Sequence, residues 1–230
     1  MEPNVSHEEV ARFDALATQW WDVRGPMRPL HEMNPARIGW VNGRIGAGSR
    51  ILDVGCGAGI AAEALARAGH SVLGIDKAEA ALEAGRGHAE GLGLELEYRC
   101  AAAEELLGEA ERFGVITAFE VIEHVPDAAA FLASLAGLLA PGGRLFVSTP
   151  NRTKRSWLMT KLAAEYVLRL LPVGTHDWGK FITPTELAGL GRDAGLRLAD
   201  SAGLSMEPLH GGWRISRDLG VNYIVELAGN

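Results

Sequence analysis

The sequence of 230 residues predicts an α/β protein built on a doubly wound, mostly parallel sheet of seven strands. Short apolar segments alternate with Ala/Leu-rich helical segments between residues 50 and 150, and a glycine-rich turn follows the first of them. All six tryptophans lie outside residues 41–156, which sets this core apart from its flanks. Strands that alternate with helices imply right-handed crossovers, and hence a parallel sheet with helices on both faces.

The core elements follow from local pattern. Strands are expected at residues 50–54, 71–75, 94–99, 113–118 and 144–149, and helices at 60–68, 78–90 and 128–140. Gly69 and the Pro141-Gly-Gly143 turn are typical stop signals for the first and last of these helices. Gly85 and Gly87 lower the helix propensity of the middle segment, residues 78–90.

The flanks complete a single decorated domain in four parts. These are a helical cap at residues 1–48, a cofactor-binding core at 49–150, a basic amphipathic helical insertion at 151–182, and a closing part at 183–230. The cap is expected to hold two helices within residues 6–45. The closing part should hold a helix at 184–194 and two strands at 196–202 and 221–228.

The composition excludes several classes of protein. Hydrophobic residues make up 47% and charged residues 22%, which is typical of a globular chain. Two cysteines, Cys56 and Cys100, fit a reducing cytoplasm rather than a disulfide scaffold. The polar, acidic N terminus is not typical of a signal peptide, and the longest apolar run, residues 128–140, is too short to cross a bilayer. A net charge of −7 argues against bulk attraction to nucleic acid or anionic lipid.

The strongest motif is the turn after the first strand, in which Gly55, Gly57 and Gly59 are spaced G-x-G-x-G. A dinucleotide fingerprint requires G-x-G-x-x-G, and residue 60 is Ile, which argues against a nicotinamide oxidoreductase. Asp53 precedes the turn, where it would disfavour a pyrophosphate but suit a cationic nucleoside. Asp76 ends the second strand at the edge where open parallel sheets bind ligands, in reach of ribose hydroxyls. The alternative is a glycine turn that only closes a strand–helix unit.

This motif resembles the first motif of the class I S-adenosylmethionine-dependent methyltransferases, whose cofactor carries a sulfonium, a ribose and an adenine. Residues 113–120 and 139–147 are similar to the fourth strand of that family and to the turn into its fifth strand. One departure concerns the acid or amide that many members place after the third strand, where this chain has Ala102. Backbone groups near Ala103 are expected to contact the adenine instead.

Six further segments narrow the resemblance to the bacterial ubiquinone-biosynthesis O-methyltransferase family and its mitochondrial counterparts. They are WWD at 20–22, PLHEMNPAR at 29–37, EVIEHVPD at 120–127, STPNR at 148–152, GTHDWGKF at 174–181 and VNY at 221–223. The resemblance implies two O-methylations, of 2-polyprenyl-6-hydroxyphenol and of 3-demethylubiquinol. It also implies that Arg37, Gly55, Asp76 and Phe119 contact S-adenosylmethionine. Arg37 would hold the methionine carboxylate; the alternative is a surface ion pair.

Glu120, Glu123 and His124 follow the fourth strand at positions i, i+3 and i+4, which share one face if the segment is helical. A phenol has a pKa of about 10, so the reaction needs a base or a metal ion. His124 could be a general base or a structural group. The mitochondrial relatives imply that all three side chains bind Mg²⁺ or another divalent cation. His176 is a second catalytic candidate, although a turn capped by Asp177 explains it equally well.

Charge is unevenly distributed along the chain. Residues 51–150 carry 15 acidic and six basic side chains, whereas residues 151–180 carry two and six. Lys161, Glu165 and Arg169 form a narrow polar stripe on an otherwise apolar helix. This pattern predicts contact with an anionic membrane surface through Trp157, Leu158, Met159, Lys161 and Arg169. The alternative is a helix buried on the sheet or in a dimer interface.

Together these features predict a cytoplasmic enzyme that associates peripherally with the inner membrane, acts on a polyprenylated phenol or quinol and has no nucleic-acid partner. Whether other ubiquinone-biosynthesis enzymes are partners stays open. Two rival hypotheses are a class I methyltransferase that methylates carbon or nitrogen, and a cofactor-binding protein without catalysis.

Overall fold

The computed structural model describes residues 4–159, 178–207 and 212–229, which form an eight-stranded sheet flanked by helices. The strands are β1 Arg50–Val54, β2 Ser71–Asp76, β3 Leu96–Cys100, β4 Phe113–Phe119, β5 Leu139–Pro150, β6 Arg197–Met206, β7 Trp213–Ser216 and β8 Asn222–Ala228. Their order across the sheet is β3-β2-β1-β4-β5-β8-β6-β7. Strands β1 to β5 pair in parallel, and β8, β6 and β7 continue the sheet in antiparallel pairs.

The helices lie before, between and after these strands. They are α1 His7–Ala15, α2 Arg28–Asn42, α3 Ile60–Arg67, α4 Glu79–Ala89, α5 Ala103–Leu106, α6 Ala128–Leu138, α7 at residues 154–159 and α8 Pro184–Asp193. Side chains cap the N termini of α1, α6, α7 and α8: Ser6 accepts from the Glu9 N–H, Asp127 from two N–H groups of α6, Thr153 from the Ser156 N–H and Thr183 from the Glu186 N–H. Each cap satisfies N–H groups that have no partner inside the helix.

Alternate residues of the central strands face two apolar layers, as expected for a doubly wound sheet. Leu52 and Val54 of β1 pack with α6 and α8, whereas Ile51 of the same strand packs with α2 and α3. The α/β class and the doubly wound, mostly parallel sheet are therefore confirmed.

Among the described residues the sheet has eight strands, not the predicted seven. The additional strand, β7, forms four residue pairs with β6 at the edge of the sheet. Its sequence, Trp-Arg-Ile-Ser, is too short to give a recognisable alternation, so pairing with a neighbour rather than local pattern makes it a strand. The short helix α5 was also not predicted. Within the described ranges, no helix combines the length and the apolar character that a membrane span requires.

Candidate active site

The glycine turn joins the carboxyl end of β1 to α3 in a backbone conformation that requires glycine. Gly55, Gly57 and Gly59 have φ values of +67°, +53° and +88°. A Cβ would lie 2.4 Å from Val121 Cγ2 at Gly55 and 2.1 Å from the ring of Trp20 at Gly57. At Gly59 it would lie 1.8 Å from the Tyr98 hydroxyl. All three positions therefore combine a left-handed backbone with close packing.

Asp76, at the carboxyl end of β2, lies across this turn as its position in the sequence predicted. Its Oδ2 accepts from the Gly57 N–H at 2.8 Å, and its Oδ1 accepts from the Ala78 N–H at 2.8 Å. Burial raises the pKa of Asp76, and the backbone N–H groups oppose that shift. Each carboxylate oxygen keeps a lone pair, so the pair of oxygens can accept from two vicinal hydroxyls.

A cavity of about 150 Å³ lies over the turn. Five of the predicted cofactor residues line it: Gly55, Gly57, Asp76, Ala103 and Phe119. The catalytic candidates Glu120 and His124 line the same cavity. The structure thus brings the glycine turn, the ribose candidate and the reaction candidates to one edge of the sheet. Arg37, Asp53 and Gly59 are not part of the lining.

The N-terminal segment closes the cavity, which the sequence did not reveal. Glu9 and Phe13 of α1 line it, together with Trp20. The Trp20-Trp21-Asp22 motif was the one signal that pointed to this region. No local sequence pattern identifies Glu9 as a site residue, because its partner His124 lies more than 100 residues away in the chain.

Arg37 on α2 lies behind the cavity wall and is only 2% exposed, which rules out the surface ion pair. Its guanidinium is 5.1 Å from the centre of the Phe119 ring, and Nη1 is 3.7 Å from Glu120 Oε1. Nε and Nη1 have no hydrogen-bond partner among the described residues. Burial lowers the pKa of Arg37, partly offset by Glu120 and Asp53. Two unsatisfied buried donors beside Phe119 fit an incoming carboxylate.

Asp53 is buried at the end of β1, where Thr117 Oγ1 donates to its Oδ1 at 2.6 Å. Its Oδ2 has no hydrogen-bond partner in the described ranges. Burial raises the pKa of Asp53 to about 7, against the opposing effects of Thr117 and Arg37. A buried carboxylate with a free oxygen favours a nearby positive charge over a phosphate.

Glu120 follows β4 with a φ of +57°, and it is the one non-glycine residue with positive φ in the described parts of the chain. Two donors hold its carboxylate: Ser148 Oγ donates to Oε1 at 2.7 Å and Asn222 Nδ2 donates to Oε2 at 2.9 Å. Thr149 Oγ1 donates to Glu123 Oε2 at 2.9 Å, and burial raises the pKa of Glu123 to about 7. The STPNR and VNY segments therefore supply donors to the two acidic candidates.

His124 pairs with α1 rather than with its own segment. Its Nδ1 lies 3.0 Å from Glu9 Oε2, and its Nε2 lies 4.0 Å from Glu123 Oε1. Phe13 packs edge-on against the ring at 5.5 Å between centroids. Burial lowers the pKa of His124, but the hydrogen bond to Glu9 and the charge of Glu123 outweigh it, so the net shift is upward. The same hydrogen bond lowers the pKa of Glu9.

The geometry does not fit the predicted divalent-cation site. Residues 122–126 form a turn and a bend rather than a helix, so Glu120, Glu123 and His124 do not share a helix face. Ser148 and Asn222 each donate to one oxygen of Glu120, and Glu9 engages Nδ1 of His124. Across the described ranges, no group of three or more His, Cys, Asp or Glu side chains could hold a metal ion.

The remaining candidates lie within the basic insertion at residues 151–182. Trp157 and Leu158 are 44% and 52% exposed, and Met159 is partly buried. His176, Lys161 and Arg169 lie outside the described residues.

Comparison with known proteins places this chain in a family. A methyltransferase domain family model matches residues 30–201. The chain is 47% identical over 225 residues to the ubiquinone biosynthesis O-methyltransferase of Stutzerimonas stutzeri, covering 97% of both chains. It is 44% identical over 227 residues to the protein of that name from Aeromonas salmonicida, covering 97% of this chain and 95% of the other.

Solved structures support the same fold at lower identity. The magnesium protoporphyrin IX methyltransferase from Synechocystis with bound SAH matches with a TM-score of 0.69 at 16% identity, over 96% of this chain and 100% of that one. The N-methyltransferase NodS from Bradyrhizobium japonicum matches with a TM-score of 0.64 at 17% identity, over 97% of both chains. With the full-length sequence relatives, these findings show that the chain belongs to the ubiquinone biosynthesis O-methyltransferase family.

Proposed function

We propose that this protein uses S-adenosylmethionine to methylate the phenolic oxygens of 2-polyprenyl-6-hydroxyphenol and 3-demethylubiquinol. The observation that carries the proposal is the identity of 44–47% to enzymes of ubiquinone biosynthesis over nearly the whole chain. A cavity lined by the glycine turn, by Asp76 and by His124 supports it, because one site then serves both cofactor and reaction.

The cofactor would be held by groups that are buried and incompletely satisfied. Arg37 would bind the methionine carboxylate through Nε and Nη1, which lack partners among the described residues. Asp76 would accept from the ribose hydroxyls, and Ala103 would lie against the adenine. Asp53 would favour the positive charge from behind the turn. The fit rests on these donors and acceptors and on the close approach that Gly55 and Gly57 permit.

When bound, S-adenosylmethionine supplies a methyl group on a good leaving group: an oxygen–carbon bond forms, the carbon–sulfur bond breaks and its electron pair goes to sulfur. The chain must align the acceptor oxygen and accept its proton. We assign proton acceptance to Nε2 of His124, since Glu9 engages Nδ1. Glu123 lies 4.0 Å from this nitrogen, so its charge would stabilise the imidazolium that forms.

The exposed pair Trp157 and Leu158 supports peripheral contact with an anionic membrane surface, close to an acceptor with an isoprenoid tail. Lys154 and Arg155 are exposed on the same helix, and basic side chains beside apolar ones are typical of such contacts. Partner enzymes of the same biosynthetic route would supply the acceptor hydroxyl and consume the ether.

The test is an assay of both O-methylations with purified protein, with and without chelator, next to calorimetry with S-adenosylhomocysteine. We expect binding and turnover on both acceptors. Binding without turnover when magnesium is supplied would favour a non-catalytic protein. Turnover that chelator abolishes and magnesium restores would assign His124 to a metal ligand set instead of to proton acceptance.

A further inference from the structure

We infer that Glu9 is a positioning residue for His124, so that helix α1 supplies part of the reaction machinery as well as part of the cavity wall. The inference rests on the proposed function, because it concerns the ring that would accept the acceptor's proton. It is carried by the Glu9–His124 contact and by the independent anchoring of α1.

The contact fixes which nitrogen of the neutral ring carries the proton. Glu9 Oε2 lies 3.0 Å from Nδ1, and the two side chains are only 12% and 18% exposed. A carboxylate is an acceptor, so a neutral His124 donates its Nδ1 proton to Glu9 and carries its lone pair on Nε2. Phe13 packs edge-on against the ring and opposes its rotation. The lone pair is thereby directed to the side of the ring where Glu123 lies.

Glu9 is itself held in place. Arg12, one turn later on α1, donates to the same Oε2 at 3.2 Å. Both Glu9 and His124 line the cavity that contains Asp76 and Gly55. A carboxylate in this position would also balance the imidazolium charge once the proton of the acceptor has moved to Nε2.

The placement of α1 does not depend on Glu9. At one end, Asn4 donates to the Asp127 carbonyl at 2.5 Å and accepts from the Asp127 N–H at 2.9 Å. At the other end, Asp14 accepts from the Ala80 N–H at the start of α4, at 2.9 Å. Two anchors at opposite ends can hold the helix over the cavity, which leaves the buried carboxylate of Glu9 free to serve His124.

Three variants separate positioning from a structural role. Glu9→Leu removes the acceptor, Glu9→Gln keeps an acceptor oxygen at the same reach, and Glu8→Gln alters the neighbouring exposed carboxylate. We expect Glu9→Leu to lower kcat by about 10- to 100-fold, as for other groups that orient an imidazole. Glu9→Gln should lower kcat less than Glu9→Leu does, and Glu8→Gln should leave kcat unchanged. The KM for S-adenosylmethionine should stay within about two-fold of the wild-type value in all three variants.

A spectroscopic readout works without turnover. Long-range ¹H–¹⁵N correlation spectra distinguish the two neutral tautomers, and the His124 signals are those missing from His124→Asn. At a pH above the raised pKa of His124, where the ring is neutral, we expect the Nδ1–H form in the wild type and in Glu9→Gln, and a shift toward the Nε2–H form in Glu9→Leu. This result would stand even if the proposed acceptors were wrong.

An unchanged tautomer in a folded Glu9→Leu variant would overturn the inference. So would a raised KM for S-adenosylmethionine with unchanged kcat, because that pattern belongs to a residue that only closes the cavity. Thermal unfolding and S-adenosylhomocysteine binding of each variant show that it is folded.

Discussion

The side-chain amide of Asn222 donates a hydrogen bond of 2.9 Å to Oε2 of Glu120, although 102 positions separate the two residues in the chain. Glu120 lies in the left-handed region with φ of +57°, which costs a non-glycine residue about 1–3 kcal/mol. The hydrogen bonds from Asn222 and Ser148 compensate that strain and hold the carboxylate 3.7 Å from Arg37.

Removal of this donor should affect both stability and cofactor binding. Asn222→Ala leaves a carboxylate oxygen of Glu120 without its partner, so we expect a loss of about 1–3 kcal/mol in the free energy of unfolding. Because Glu120 then no longer fixes Arg37, S-adenosylhomocysteine affinity should fall, as measured by calorimetry. Asn151→Ala is the matched control, since Asn151 is also buried but donates to the Leu219 carbonyl. Wild-type affinity in Asn222→Ala would contradict the role given to Glu120.

The glycine turn should not tolerate a side chain at Gly57. The φ of +53° and the ring of Trp20 both oppose Gly57→Ala, so we expect a destabilisation of at least about 1 kcal/mol and loss of S-adenosylhomocysteine binding. Gly87→Ala is the control: it lies in α4 with open space around its Cβ position, and alanine there should be neutral or stabilising by up to about 1 kcal/mol. Equal behaviour of the two variants in denaturant titrations would refute the packing argument.

Asp53 should make stability depend on pH. An aspartate has a pKa near 3.9 when unfolded, and burial raises that of Asp53 to about 7, so between these values the folded chain binds the extra proton. Stability therefore falls as pH rises through this window, by up to about 1.4 kcal/mol per pH unit. Asp53→Asn removes this contribution and keeps an oxygen to accept from Thr117. The free energy of unfolding of Asp53→Asn minus that of the wild type should thus increase between about pH 5 and pH 7. A difference that stays constant with pH would show that the carboxylate does not titrate there.

Membrane contact depends on the apolar residues exposed on α7. Trp157→Glu combined with Leu158→Glu should abolish flotation with anionic vesicles, because two carboxylates would have to enter the headgroup region. Adenosylmethionine affinity should remain intact. The control combines Val23→Glu with Leu198→Glu. These two residues are 60% and 43% exposed but lie outside α7. Flotation should survive in that control, and unchanged flotation of the first pair would exclude α7 as the contact.

Much of the core could be predicted because its signals are local. The apolar strands, the glycine spacing and the stop signal at Gly69 each act within a few residues, and β1 to β4 lie within two positions of the predicted bounds. Strand β5 begins at Leu139 rather than at residue 144, because Leu139 already pairs with Phe113 of β4. The position of Asp76 opposite the glycine turn followed from the parallel sheet alone, since neighbouring parallel strands end at the same edge.

What could not be predicted depends on contacts between distant segments. The metal-site hypothesis required the segment after β4 to be helical, but residues 122–126 form a turn and a bend, and Glu120 is fixed by donors on β5 and β8. Glu9 faces His124 only because α1 crosses the cavity. Strand β7 exists through its pairing with β6. The partners of Glu120 and of Glu9 lie far away in the chain, and β7 is too short to show a period of its own, so the hydrophobic periodicity does not indicate these contacts.

The proposed function requires this chain to transfer a methyl group to a phenolic oxygen. The most direct measurement supplies S-adenosylmethionine with a ¹³C-labelled methyl group and a short-chain 3-demethylubiquinol, with magnesium present, and records the ¹³C spectrum of the product. The proposed function predicts a single new resonance in the methoxy region. A resonance in the region of ring-bound methyl carbons, or no labelled product from a protein that binds S-adenosylhomocysteine, would contradict it.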